Sequence, residues 1–374
     1  MPPLENSWSE VAHQRAIEKK THVSFPQLKY PSLRDKGPRD AIQWLAGKAM
    51  DDGAEGLWRI GDKLYDITYF IERHPGGPEW LQLTKGTDIT EAFESHHLNP
   101  NIAKMLDRYY VRDAKTLRNS PFTFKEDGFY RTLKRRVYEE LKRIPKDANK
   151  SANRITDGLF ITLLVSSVMA SWVTNSWAAT FWYLASSVAL ALLTVACHNY
   201  IHRKSNWRMY LFNMSLWSYR DFRVSHVISH HLYTNTLMDL EISSLEPLLH
   251  YNPRKDKPFY VKLGFITEFF LFPTLFIFSF TNRNETPDWG VHQVEALLDR
   301  KDVNSNTFTV LTMFGDHTLH HMFPTLDHGM LKYLYPIFLE LCEKFQANYR
   351  MSTQFNMVIG QIKETMRTEF KEIK

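Results

Sequence analysis

The sequence predicts a small α+β domain followed by an all-α membrane domain. Short runs of alternating apolar residues, separated by turns, lie between about residues 46 and 115 and predict paired strands. The stretch from Gly158 to Cys197 contains no Asp, Glu, Lys, Arg or His, and its length of about forty residues is roughly twice what one helix needs to cross a bilayer. A third observation, the grouping of the histidines, indicates which side chains of the two parts act as ligands.

Composition limits the classes of function. The net charge of +5 is modest, and the basic residues do not form a tract interleaved with aromatics, so nucleic acid is not expected as a partner. Attraction to a membrane surface explains the basicity more simply. Only Cys197 and Cys342 are present, which excludes a disulfide framework or a zinc ribbon and suits a reducing cytosolic face. Residues 1–45 form a polar arm with scattered prolines and lack the apolar core of a secretory signal.

The first domain, residues 46–115, begins with the strand pair LWRI and KLYDIT around a turn at Gly61 and Asp62. The turn HPGG follows and begins at His74, and the segment GTDITEAFE then leads to His96 and His97. A haem iron held by two imidazoles needs histidines on opposite faces of one pocket and a backbone that passes close to the porphyrin. Glycines in a tight turn permit that approach.

These segments resemble a cytochrome b5 haem-binding domain across about seventy residues, a match far longer than a short motif. The resemblance implies that haem b is bound by His74 and, from its spacing after Phe93, by His97. His96 is the alternative second ligand.

The middle of the chain predicts attachment to a membrane. Residues 116–157 form a basic amphipathic stretch, interpreted as a linker that lies on the membrane. Residues 158–197 predict a helical hairpin with its turn between Ser171 and Ser176 and with interfacial tryptophans beside that turn. Positive charge flanks both outer ends, so both ends are expected on the cytosolic side and the turn in the lumen.

A second apolar stretch, Phe259–Phe280, contains Lys262, Glu268 and Pro273 and is a poorer span. An interfacial or re-entrant position is as well supported as a crossing. The membrane domain is expected to extend over residues 158–350, and residues 351–374 are expected to form a C-terminal tail.

Three histidine clusters, at residues 198–231 and 317–321, predict metal binding. Histidines three or four residues apart share a face of a helix, and each cluster contains such histidines. The clusters are His198 and His202; His226, His230 and His231; and His317, His320 and His321. A single such pair is typical of a solvated helix face. Three of them, two directly after a membrane hairpin, favour metal ligands, and their number exceeds what one four-coordinate zinc ion uses.

The clusters resemble the three histidine boxes of the membrane fatty-acid desaturase superfamily, with similarity from about Cys197 to Leu334 that includes Asp239 and Glu241 after the second box. The resemblance implies a non-haem di-iron centre on the cytosolic side, with His292 as an additional ligand upstream of the third box. The implied catalytic and metal-ligating set is His198, His202, His226, His230, His231, His292, His317, His320 and His321. Two further histidines, His250 and His328, have no partner at helical spacing and are assigned to the surface or to an outer layer of the site.

The expected fold is therefore an α+β cytochrome b5-like haem domain followed by an all-α membrane desaturase-like domain. The combined resemblance implies that a cytochrome b5 reductase-type donor reduces the haem, that the haem passes electrons to the di-iron centre, and that O₂ is used to oxidise the acyl chain of a membrane lipid or acyl-CoA, in the endoplasmic reticulum membrane. Front-end desaturases usually carry glutamine where His317 begins the third box, so front-end regiochemistry is not inferred. The alternatives are a fatty-acyl hydroxylase and a non-catalytic membrane-anchored electron carrier.

Overall fold

The computed structural model describes residues 32–33, 40–215, 217–243, 250–251, 257–262, 281–282, 287–304, 306–368 and 371–372. Most of the predicted N-terminal arm lies outside the described residues, and so does the greater part of the apolar stretch 259–280, including Glu268 and Pro273. Whether that stretch crosses the membrane therefore stays open.

The first part of the chain combines short helices with one antiparallel sheet, as the sequence predicts. Its elements are α1 (Ala41–Asp51), β1 (Trp58–Ile60), β2 (Lys63–Tyr65), a 3₁₀ helix (Thr68–Arg73), α2 (Glu79–Thr84), α3 (Thr90–His96), α4 (Asn101–Met105), a 3₁₀ helix (Leu106–Tyr109) and β3 (Tyr110–Asp113). The sheet order is β1-β2-β3, and Trp58 pairs with Tyr65 across the first hairpin. The predicted turn is present, with Gly61 at φ 61°, a left-handed conformation that glycine adopts without steric cost.

The second part is mostly helical, which confirms the predicted order of the two fold classes. Its first elements are α5 (Phe129–Glu140), α6 (Lys150–Trp172), α7 (Ser176–Ile201), α8 (Trp207–Tyr210), a 3₁₀ helix (Leu211–Met214), α9 (Tyr219–Phe222), a π-helix (Arg223–His230), α10 (His231–Tyr233), a 3₁₀ helix (Glu241–Ser243) and α11 (Phe259–Lys262). The remaining elements are β4 (Thr281–Asn282), α12 (Trp289–Ala296), β5 (Asp299–Arg300), α13 (Thr307–Thr312), α14 (His317–Met322), α15 (His328–Leu331), a 3₁₀ helix (Lys332–Leu334), α16 (Tyr335–Lys344), β6 (Met351–Ser352), α17 (Gln354–Met366) and β7 (Lys371–Glu372). Two parallel pairs of two-residue strands, β4 with β7 and β5 with β6, are the departure from an all-α domain.

Helices α6 and α7 form the predicted hairpin. They contain 23 and 26 residues, their most apolar 18-residue stretches have mean hydropathies of 1.5 and 1.7, and they are long and apolar enough to cross a membrane. Only 17% and 22% of their most apolar windows are buried within the protein, so they are not core helices of a soluble domain. Large apolar side chains point outward, among them Trp172 and Trp177 beside the turn. Together with the membrane-enzyme motifs, these two candidate spans indicate membrane association.

The stretch 116–157 is more than a membrane-surface linker. It contains α5, whose apolar side is buried in the main hydrophobic core through Phe129, Leu133 and Val137, beside residues of α12 and α16. The stretch was predicted to be a linker that lies on the membrane, but the apolar side chains of α5 pack inside the fold instead. The predicted tail also contains an ordered element, α17, with Met357 buried.

Candidate haem pocket and histidine metal centre

A cavity of about 520 Å³ lies beside α2 and α3 and is lined mainly by apolar side chains. The histidines that line it in the first part of the chain are His74, His96 and His97, and apolar neighbours include Phe70 and Phe93. A cavity with apolar walls and a few polar groups is suited to a flat, largely apolar ligand such as a porphyrin.

His74 and His97 face each other in this cavity, with ring centroids 6.1 Å apart. His74 lies at the end of the 3₁₀ helix Thr68–Arg73, and its Nδ1 donates to the carbonyl of Gly77 at 2.8 Å. His97 follows α3, and its Nδ1 donates to the carbonyl of Phe93 at 3.0 Å. Because a carbonyl accepts the proton of each Nδ1, each Nε2 keeps its lone pair for a metal. The donor set therefore fits a haem iron with two axial imidazoles.

Gly76 is required by this geometry. A Cβ at this position would lie 2.9 Å from Cε1 of His74, closer than side-chain packing permits. Any larger residue would displace the His74 ring from its position in the cavity.

His96 lines the same cavity, but its ring packs against Trp80, at a centroid distance of 6.1 Å. Its Nδ1 lies 3.0 Å from the carbonyl of Ala92, and its Nε2 is buried with no hydrogen-bond partner among the described residues. Burial lowers the pKa of His96 to about 3 and that of His97 to about 4, so both imidazoles are neutral at pH 7. The ring pair His74–His97 favours His97 as the second ligand.

The histidines of the second part form two adjacent buried groups. In the first, one ring nitrogen of each member lies within 4.8 Å of all the others, and the members are His198, His202, His226, His231 and His320. The Nε2 of His198 is central and lies 2.7, 2.8 and 3.2 Å from the Nε2 atoms of His226, His202 and His320. Lone-pair nitrogens that converge so closely could together serve as the donor set of a metal ion.

The second group contains His230, His317 and His321. The ring of His321 stacks on that of His231 in the first group, with centroids 3.8 Å apart. The Nδ1 of His321 lies 3.2 Å from Oε1 of Gln293, which accepts its proton, and Nε2 of His321 is buried with no hydrogen-bond partner in the described part of the chain. Two neighbouring groups of this kind fit two metal ions better than one.

The π-helix Arg223–His230 decides which histidine of the second box joins which group. A helix of this type bonds residue i to residue i+5, so His226 and His231 come to the same side, and their Nε2 atoms lie 3.0 Å apart. The α-helical spacing used in the sequence analysis pairs His226 with His230 instead. Those two rings stack at 5.5 Å, but His230 also belongs to the second group.

Two carboxylates orient the histidines of the second box. Glu241 accepts from Nδ1 of His226 at 2.6 Å, and Asp239 accepts from Nδ1 of His230 at 2.7 Å. Each interaction fixes the tautomer that presents Nε2 to a metal, as carboxylates behind ligand histidines commonly do. Burial alone would lower the pKa of His230, but the charges of Asp239 and Glu241 outweigh it and raise this pKa to about 9.

Four other box histidines, His202, His231, His320 and His321, are fully buried and pack against one another's rings. Burial lowers the pKa of His202, His231, His320 and His321 well below the ordinary value. All four are therefore neutral at pH 7 and have a lone pair for a metal.

His292, the predicted additional ligand, lies beside the two groups but is in neither. Its Nε2 donates to the carbonyl of Thr234 at 2.8 Å, and its ring packs on Phe122. In this arrangement its Nε2 is engaged by the backbone rather than by a metal.

His328, which the sequence analysis left outside the ligand set, is buried at the first group. Its ring centroid lies 4.4 Å from that of His320, and its Nδ1 lies 2.9 Å from Oδ1 of Asn199. The sequence carried no signal for this position, because His328 has no histidine at helical spacing. His250 is also buried rather than at the surface.

The haem cavity and the first histidine group share a wall. The cavity is also lined by His202, by Val227 and Ile228 within the second histidine box, and by Leu232 directly after that box. His202 is thus both a member of the first histidine group and part of the wall of the haem cavity, so the two sites meet at this side chain.

Comparisons with known proteins agree with both parts. Residues 43–115 match the family model described as "Cytochrome b5-like Heme/Steroid binding domain". The "Cytochrome b5-related protein" of Drosophila melanogaster is 37% identical over 418 aligned residues, which cover 91% of this chain and 95% of the relative. The "Cytochrome b5-related protein" of Drosophila virilis is 50% identical over 131 residues, 35% of this chain and 91% of the relative.

The similarity extends to desaturases. The "Probable Delta(5) fatty acid desaturase C" of Dictyostelium discoideum is 25% identical over 411 aligned residues, covering 80% of this chain and 89% of the relative. No solved structure matches the chain. The resemblances to cytochrome b5 and to fatty-acid desaturases, both predicted from motifs, are confirmed.

Proposed function

The chain belongs to the cytochrome b5-related protein family, and from this premise we propose that it is a membrane fatty-acid desaturase-type oxidoreductase with haem b and a non-haem di-iron centre. The observation that carries the proposal is the convergence of all eight box histidines into two adjacent buried groups that share a wall with the haem cavity. Structural histidines on solvated helix faces do not gather in this way.

The proposed ligands follow from the two groups. His74 and His97 would hold the haem. One iron would be held by the first group, and the other by His230, His317 and His321, with His292 beside them as a proposed further ligand. The proposed set of catalytic residues is thus the nine box and box-associated histidines.

When loaded, the di-iron centre supplies the reduction of O₂ and the removal of two hydrogens from adjacent carbons of an acyl chain. The overall reaction requires two electrons and two protons per O₂ and gives one carbon–carbon double bond and two molecules of water. The electrons come from a cytochrome b5 reductase-type donor, one at a time, because a haem carries one electron.

The protein's own residues hold this site in place. Glu241 and Asp239 fix the tautomers of His226 and His230, and Gln293 does the same for His321. Burial keeps the remaining imidazoles neutral and excludes bulk water from the two groups.

The proposed substrate is the acyl chain of a membrane lipid or an acyl-CoA, because the site lies directly after the hairpin α6–α7. His198 is part of α7 itself. We place the protein in the endoplasmic reticulum membrane, with the haem domain and the histidine groups on the cytosolic side, since basic residues such as Arg154 and Arg203 flank the outer ends of the hairpin.

Expression in a desaturase-deficient yeast, with fatty-acid profiling, tests the proposal. The wild-type chain should produce a new unsaturated fatty acid when iron and a reductase are present, and His320→Ala should abolish it. His13→Ala, in the polar N-terminal arm, is the matched control and should retain the product.

Other products would support other functions. A hydroxylated fatty acid would identify a hydroxylase that uses the same histidines. A chain that binds haem but forms no product and contains no non-haem iron would be an electron carrier, and the proposal would be wrong.

A further inference from the structure

The haem domain, residues 43–115, contacts the histidine boxes directly. A single guanidinium joins them at one side of the cavity. Arg223 is the first residue of the π-helix, and it is fully buried. Its guanidinium pairs with the carboxylate of Glu79 at the start of α2 and lies 4.5 Å from the ring centroid of Trp80, which lines the haem cavity.

The same guanidinium also binds the end of the first histidine box. It donates to the carbonyls of Ile201 at 3.2 Å and Arg203 at 2.9 Å, the two residues that flank His202. Arg223 therefore connects one wall of the haem cavity with the ligand histidine of the opposite wall.

A second buried contact joins the two parts on the other side of the haem domain. Tyr233, two residues after His231, is buried, and its hydroxyl lies 3.0 Å from Nζ of Lys48 and 3.3 Å from Oε2 of Glu91. Lys48 is itself buried and pairs with Asp52 at 2.9 Å. Nearby, the indole of Trp44 donates to the carbonyl of Met238 at 2.8 Å.

A third contact involves α5. Glu94 of the haem domain pairs with Lys134 at 2.8 Å, and the hydroxyl of Tyr130 donates to the carbonyl of Met322, which follows the third histidine box. The haem domain is thus held through the π-helix, the segment from Tyr233 to Met238 and α5, rather than by the segment that follows residue 115 alone.

These contacts have a physical consequence. A buried charge that loses its partner is strongly destabilising, and Arg223 and Glu94 are buried at this boundary, with their charge partners Glu79 and Lys134 on its other side. Separation of the two parts would leave both buried charges without these partners. We propose that the haem domain is permanently docked on the histidine centre, with Arg223 as the positioning residue that keeps His202 in the wall of the haem cavity.

The proposal deepens the proposed function and rests on it for one consequence only. If the histidine groups hold iron, each electron leaves a ferrous haem and reduces a ferric non-haem iron within one molecule, at a distance fixed by this interface. A second molecule carrying its own haem would then have no access to His202. The docking itself follows from the contacts described above and does not depend on bound iron.

Cleavage of the connection between the parts tests the docking. A protease site is inserted after Lys115, whose side chain is 72% exposed, in the full-length haem-loaded protein in detergent. After cleavage, the two fragments should elute together on size exclusion at micromolar concentration. The rate of haem reoxidation by O₂ after chemical reduction should change less than twofold.

Substitution of Glu79 tests the role of Arg223 in the cleaved protein, where docking becomes a measurable dissociation constant. Glu79→Gln should raise this Kd roughly 30-fold, because it removes the charge partner of the buried Arg223. Glu79→Arg should separate the fragments completely. Glu72→Gln, at an exposed acidic residue of the same domain, should change the Kd less than twofold.

A Soret band of normal height in each variant shows that the haem domain is folded. Separation of the wild-type fragments at micromolar concentration, or equal Kd values for Glu79→Gln and Glu72→Gln, would overturn the proposal. Fragments that stay together in a chain without non-haem iron would support the docking and contradict the proposed function. Fragments that separate in a chain with full iron and desaturase activity would contradict the docking and support the proposed function.

Discussion

Replacement of Asp239 by Asn should weaken metal binding without affecting the haem. Asp239 is buried and accepts from Nδ1 of His230, and also from the backbone N–H of Asn235 at 2.9 Å and of Glu241 at 3.1 Å. An asparagine amide is neutral and offers one acceptor atom in place of two. It therefore leaves His230 without the negative charge that makes its Nε2 a strong donor.

The structure gives the magnitude. Asp239 and Glu241 raise the pKa of His230 from 6.5 to about 9, which at about 1.4 kcal/mol per pH unit is roughly 3 kcal/mol of preference for the charged ring. The negative charges of Asp239 and Glu241 also stabilise a metal cation on Nε2 of His230. Glu241 still supplies part of this stabilisation after Asp239 is replaced. Loss of a carboxylate behind a ligand histidine commonly costs roughly 10- to 100-fold in metal affinity, and we expect Asp239→Asn to lie in this range.

The measurement is the Fe(II) content of the purified protein after dialysis against a graded series of chelator concentrations. The chelator concentration that removes half of the non-haem iron should fall by the same factor as the affinity, while the Soret band stays unchanged. Asp221→Asn, at an exposed acidic residue two positions before the π-helix, is the control and should match the wild type. Equal iron retention in Asp239→Asn and Asp221→Asn would refute the assigned role of this carboxylate.

Three further predictions concern the haem pocket and the core. His97→Ala should abolish haem binding, because it removes an axial ligand, whereas His96→Leu should retain it; loss of the Soret band in His96→Leu alone would reverse the assignment. The apo-protein should lose stability as the pH falls from about 6.5 towards 4 and should be insensitive above pH 7, because burial lowers the pKa of His96 and His97 and the unfolded chain then binds more protons. Thermal unfolding of the apo-protein checks this, and His96→Leu should flatten the dependence; an unchanged midpoint between pH 7 and 4.5 would contradict it. Phe338→Ala should lower the free energy of unfolding by roughly 3 to 5 kcal/mol in denaturant titrations, because the ring is fully buried in the main core; a loss below about 1 kcal/mol would show that the core packs differently.

The sequence predicted those features that depend on local spacing. The hairpin around Gly61, the turn at His74 and the apolar helices α6 and α7 each follow from patterns within a few dozen residues. The box histidines were predicted as a set because paired imidazoles recur at helical spacing, and the structure brings eight of them into two groups.

Features that depend on distant contacts were not predictable in this way. Glu79 and Arg223 are 144 residues apart in the chain, so no local pattern connects them. His328 joins the site through the packing of α15 against the first group, and the π-helix alters which histidines of the second box share a side. The basic stretch around α5 has the composition of a membrane-surface helix, and only tertiary packing shows that its apolar side is buried.

The ratio of non-haem iron to haem in the purified full-length protein tests the central claim most directly. Two adjacent histidine groups beside one haem cavity predict about two non-haem irons per haem, measured as total iron minus the iron of a quantified haem. His320→Ala should lower this ratio and leave the haem spectrum unchanged. A wild-type protein with a full Soret band and no iron beyond the haem would contradict the claim.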